Sequence, residues 1–105
     1  MWSSSKEMAD NYLKLNQLDK AESILTELAE TSLQYASWYL SLDDMRFINS
    51  YEDCIRNIYC LDEICKSLKC IVDSETGKEC ETAQHYYQKF GELYKLLETR
   101  VGRNK

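Results

Sequence analysis

The side chains of this chain that could do chemistry are few and scattered. His85 is the only histidine; it sits between Gln84 and the Tyr86-Tyr87 pair and reads as a lone surface residue. The five cysteines, Cys54, Cys60, Cys65, Cys70 and Cys80, are separated by six, five, five and ten positions. That pattern contains no CxxC and does not match the ligand spacing of a zinc site. An odd number of cysteines suits a reducing compartment better than a disulfide scaffold, and buried free thiols act as small hydrophobes. The paired acids Asp43-Asp44 and Glu52-Asp53 are sequence neighbours. Neighbours on a helix point about 100° apart and do not converge on one substrate. Gly77-Lys78 shares only the end of a phosphate-binding loop, and Glu79 stands where that loop needs a hydroxyl. No catalytic residue, cofactor site or metal site is assigned on these grounds, and the chain is expected not to be an enzyme in its own right.

The elements that would have to position such residues are helical. With 105 residues the chain is long enough for one domain. Its 44% hydrophobic content is enough for a core. It has no proline and three glycines, too few turn formers for an all-β domain. The net charge of −5 argues against nucleic acid as a partner, since phosphate binding needs a basic patch. The basic end, Arg100 to Lys105, is too sparse to supply one. The first residues lack the apolar core of a signal peptide. The longest uncharged stretch, Thr31–Leu42, is short of the roughly 20 residues that span a bilayer. A soluble domain is expected.

The periodicity predicts four main antiparallel helices. Ser4 and Glu7 fit a capping box for a first helix from Ser5 to Leu15. Asn16-Gln17 forms the turn, where asparagine tolerates the left-handed conformation. Leu18, Ala21, Leu25, Leu28, Ser32, Tyr35, Tyr39 and Leu42 step alternately by three and four and predict the inner stripe of a second helix. Leu33, Ala36, Trp38 and Leu40 widen that surface, which would make the second half of this helix the centre of the domain. A turn near Asp43–Asp44 precedes a third helix from Ser50, with Tyr51, Ile55, Ile58, Leu61, Cys65, Leu68 and Val72 inside. Residues 73–77 read as a loop. Thr76 and Glu79 repeat the capping box ahead of a fourth helix, with Ala83, Tyr86, Tyr87, Phe90, Tyr94, Leu97 and Val101 inside. Gly91 within it would allow a close approach by a neighbour. The division is a hairpin over 5–42, two further helices over 43–101 and a frayed tail over 102–105.

Residues 5–33 resemble one tetratricopeptide (TPR) repeat. Ala9, Tyr12, Ala21, Leu25 and Leu28 occupy the positions that lock its two helices together. Asn16 replaces a turn glycine, Leu28 a smaller residue and Leu33 the closing proline. No second repeat follows, so the later helices must complete the core. Three runs, Ala9–Leu15, Asp19–Ala21 and Gln34–Leu42, with the later run ending Tyr94-Lys95-Leu96-Leu97, are similar to the soluble C-terminal region of a bacterial family of multi-spanning membrane proteins that resemble protein O-mannosyltransferases. The resemblance implies a non-catalytic accessory domain attached to the inner membrane through an N-terminal region absent here, with any transferase site in that absent part. The free cysteines would favour the cytoplasmic side, and the periplasmic side stays open.

Protein interaction is therefore the expected function: an accessory domain of a glycosyltransferase-like membrane protein, or alternatively a stand-alone TPR-like adaptor. The partner would be another protein or a second copy. The Tyr35–Trp38–Tyr39 cluster is expected to be core, with Trp38 holding the second helix to the third and fourth and any partner surface lying beside it; a partner surface formed by Tyr35, Trp38 and Tyr39 themselves is the alternative.

Overall fold

The computed structural model describes residues 2–72, 77–78 and 80–103. Among them the chain is all-α: α1 (Trp2–Lys14), α2 (Leu18–Leu40), α3 (Asp44–Asn49), α4 (Tyr51–Leu68) and α5 (Glu81–Arg103). The four long helices match the expected number, and α3 is a short addition. The Thr76–Glu79 capping box and residues 104–105 fall outside the described residues. The Ser4–Glu7 box does not start α1, because the helix already runs through it from Trp2.

The turn between α1 and α2 closes as its asparagine predicts. Asn16 is left-handed, with φ 59°. Its N–H donates to the Leu13 carbonyl at 3.1 Å, and the Gln17 N–H donates to the Tyr12 carbonyl at 2.8 Å. These two bonds are the Schellman pattern, which satisfies carbonyls that a helix end otherwise leaves open. The corner after α2 is built by Asp43, whose carboxylate accepts the Arg46 N–H at 3.0 Å and caps α3. Asp43 therefore starts a helix inside the expected turn, and the Ser50 side chain makes no cap to α4.

Consecutive long helices run antiparallel. α2 is the hub, packed by α1, α4 and α5. Its buried positions are Ala21, Leu25, Ala29, Ser32, Ala36 and Leu40. Up to Leu25 this follows the expected stripe. Beyond it Ser32 is buried as expected, but Ala29, Ala36 and Leu40 take the buried places of Leu28, Tyr35 and Tyr39, leaving Leu28 and Tyr39 half-buried and Tyr35 exposed. A helix contacted from several sides needs small residues at the contacts so that its neighbours can approach within 8–10 Å. The bulky aromatics are displaced to the flanks. Phe47 of α3 and Leu61, Ile64 and Leu68 of α4 join the same core and are fully buried, as are the thiols Cys54 and Cys65. Tyr51 and Val72 lie at the ends of the expected third stripe and are exposed.

Polar contacts fix the register of α1 and α5. Asp10 accepts from Lys6 within α1 at 2.9 Å and from the Ser67 hydroxyl on α4 at 3.1 Å. Along the α2–α5 seam, Thr82 donates to Glu22 at 2.6 Å and Tyr86 donates to Glu30 at 2.5 Å. Arg100 closes the far end of the seam. It donates to the Leu40 carbonyl at 2.7 Å, pairs with Asp44 at 3.2 Å and lies 4.4 Å from the centre of the Phe47 ring.

Candidate functional site

The outward face of α2 carries the residues singled out for a partner. From Thr31 to Trp38 the helix has no proline or glycine, so its side chains stand on a rigid backbone. Tyr35 and Trp38 are three residues apart and therefore neighbours on the helix surface. They are 54% and 56% exposed. Thr31 and Gln34 complete a shallow depression with them. Tyr39 turns the other way. It is half-buried against the core, with its ring centre 5.0 Å from that of Trp38 in an edge-to-face arrangement. The cluster is thus split. Trp38 does not hold α2 to α4 and α5, which corrects the core expectation for Tyr35 and Trp38. The physical reason is the alanine line: Ala29 and Ala36 take the buried positions, and Trp38 lies too far around the wheel from them.

Tyr35 also borders a second concavity of about 420 Å³, walled by Leu28 and Ser32 of α2, Ser5 of α1, and Arg56, Asn57 and Cys60 of α4. The residues assigned to hairpin packing lie where α1 meets α2. Ala9, Ala21 and Leu25 are fully buried, and Tyr12 and Leu28 are half-buried.

The remaining candidates do not gather into a chemical centre. His85 is exposed, with its ring centre 4.9 Å from that of Tyr86. Asp43 is committed to the α3 cap, and Asp44 to Arg100. Burial pushes the Cys54 and Cys65 thiols up to about 11 and raises Cys60 as well. A thiol held that high is neutral near pH 7, which suppresses its reactivity as a nucleophile there. Among the described residues no group of three or more His, Cys, Asp or Glu side chains could hold a metal ion.

The Arg100 clamp goes unread in the sequence: the residue reads as a match to the α5 dipole, and only the tertiary fold brings it to Leu40. Tyr35, Tyr39, Tyr51, Tyr59, Tyr86, Tyr87 and Tyr94 read from the sequence as core between the helices, with a stacking or sugar-binding groove as the alternative. The structure has a groove of about 260 Å³ between α4 and α5, lined by Tyr51, Ile55, Tyr59, Phe90 and Tyr94 among others. Tyr59 and Tyr94 are 66% and 48% exposed, which corrects the core expectation for both. No helix is long and apolar enough to cross a membrane among the described residues. Set against known proteins, the chain matches no family model, no curated relative and no solved structure.

Proposed function

We propose that this chain is a non-catalytic helical protein-interaction domain that presents the Tyr35–Trp38 face of α2 to another protein. The observation that carries the reading is the exposure of a tryptophan and a tyrosine side by side on a rigid, central helix. Aromatic side chains of this kind bring large contact area at little entropic cost and dominate binding energies at interfaces. The TPR-like hairpin supports the same reading, because such hairpins serve as scaffolds for partner binding. The similarity to the soluble end of membrane proteins that resemble protein O-mannosyltransferases extends the proposal. There the domain would recruit a partner beside the membrane while the chemistry resides elsewhere in the parent chain. A stand-alone TPR-like adaptor is the alternative, and it rests on the hairpin alone.

A photo-crosslinking residue at Gln34, in the depression beside Trp38, tests the reading in the native host. A discrete cross-linked partner that disappears on Trp38→Ala, with thermal unfolding within a few degrees of the parent, supports it. A Trp38→Ala protein that loses about 3–5 kcal/mol of stability, as a truncated core aromatic does, would return the residue to the core and end the proposal. Fractionation of the native protein separates the membrane-attached version from the adaptor.

A further inference from the structure

The outer face of α4, opposite its buried side, carries an ordered set of charges. Glu52, Arg56, Tyr59, Glu63 and Lys66 are spaced by four, three, four and three residues. That spacing puts them on one ridge of the helix, about 21 Å long. All five are exposed, Tyr59 at 66%. Read along the ridge the order is acid, base, tyrosine, acid, base, and reversing the direction of reading exchanges the two signs.

A sequence with that property is complementary to itself when two copies run antiparallel. About a two-fold axis at Tyr59, Glu52 faces Lys66 of the second copy and Arg56 faces Glu63. The two tyrosines then meet at the centre. A parallel alignment would instead oppose acid to acid and base to base, which costs free energy. We propose that α4 pairs in this antiparallel sense with α4 of a second copy of the chain. The inference is separate from the Tyr35–Trp38 reading and uses a different face, although Arg56 also borders the concavity beside Tyr35.

Apolar surface flanks the charged ridge at Tyr51 and Ile55, with Tyr94 of α5 across the groove. Within one chain, Arg56 reaches Asp53 at 3.3 Å, and Lys66 reaches Glu63 at 3.2 Å and Asp62 at 3.4 Å. These are exposed pairs that water and salt weaken, and a second copy can share them. The charges set the register, and the aromatic and aliphatic area supplies the affinity.

Sedimentation equilibrium of the whole chain tests the proposal. The parent protein is expected to show a reversible monomer–dimer equilibrium with Kd on the order of 10–100 μM. Glu63→Arg places two arginines opposite each other and should raise Kd by about tenfold or more. The swap Arg56→Glu with Glu63→Arg again sets opposite charges face to face across the axis and should return Kd to within about threefold of the parent, which also excludes a folding defect as the cause. Trp38→Ala should leave Kd unchanged. A parent protein that stays monomeric to about 1 mM, a dimer indifferent to Glu63→Arg, a swap that fails to restore it, or a dimer lost on Trp38→Ala would each overturn the proposal.

Discussion

The guanidinium of Arg100 donates to the Leu40 carbonyl at 2.7 Å, so a residue near the end of the chain caps the end of its central helix. The last carbonyls of a helix have no partner within it, and here α5 supplies one. The same side chain is 12% exposed, reaches Asp44 and lies over Phe47. One residue thus ties α2, α3 and α5 together.

Arg100→Met is expected to destabilise the domain by about 2 kcal/mol, because it removes a charge-assisted hydrogen bond from a poorly solvated site. Asp44→Asn should cost under about 0.5 kcal/mol, since Asp44 is 79% exposed and its ion pair is screened by water. Urea unfolding monitored by circular dichroism measures both. Equal losses for the two variants would mean that the ion pair, rather than the carbonyl cap, carries the effect.

Gly91 is expected to be a weak point of α5 without a compensating role. A Cβ built on it meets nothing within 4 Å, so the close approach suggested by its place in the sequence does not occur. Gly91→Ala should therefore raise stability by about 1 kcal/mol through helix propensity alone. Asn16→Val should lower it by a similar amount or more, because a β-branched residue is strained at φ 59°. Thermal melts of the two variants should move in opposite directions.

The thiols should separate by burial. Cys70 is exposed and should react first with an alkylating reagent, whereas Cys54 and Cys65 should react only as the protein unfolds. Their pKa values stand near 11 in the folded protein against 9.0 for a free thiol. Between those values the unfolded chain loses protons that the folded one keeps. Stability is therefore fully present below pH 9 and falls as the pH rises from about 9 to 11. Tyr86, whose pKa is raised by burial and by its hydrogen bond to Glu30, acts in the same direction at higher pH. Replacing both buried cysteines by alanine should flatten the decline between pH 9 and 11, as read from denaturant midpoints.

How far the sequence discloses this fold depends on the distance over which each feature is decided. Asn16 and the α1–α2 hairpin are local: the left-handed turn, Ala9, Ala21 and Leu25 all follow from neighbours in the chain. The helices are legible for the same reason, since within 2–68 only Asn16, the acids at 43–44 and Ser50 break the 3.6-residue period. The inner line of α2 beyond Leu25 is not. Two lines compete there, one of aromatics and one of alanines. The choice between them is made by how closely α4 and α5 must approach, which no local pattern records. For that reason the sequence favours a core position for Tyr35 and Trp38, and the structure puts both outside. Arg100 is missed and Tyr59 misplaced in the core on the same principle: the first finds its partner 60 residues away, and the second belongs to the face of α4 that the core does not use.

The seam between α2 and α5 has a kinetic consequence. Its hydrogen bonds join Thr82 to Glu22, Tyr86 to Glu30 and Arg100 to Leu40, across sequence separations of 60, 56 and 60 residues. The α1–α2 hairpin, by contrast, closes over a turn of a few residues. Bringing distant segments together costs more chain entropy than closing a short turn, and contacts of long sequence separation form late. The expected order of assembly is that the hairpin forms early, α4 packs on it, and α5 joins α2 last. By the same route in reverse, α5 is expected to open first, with its amide protons exchanging before those of α2, as hydrogen exchange would measure.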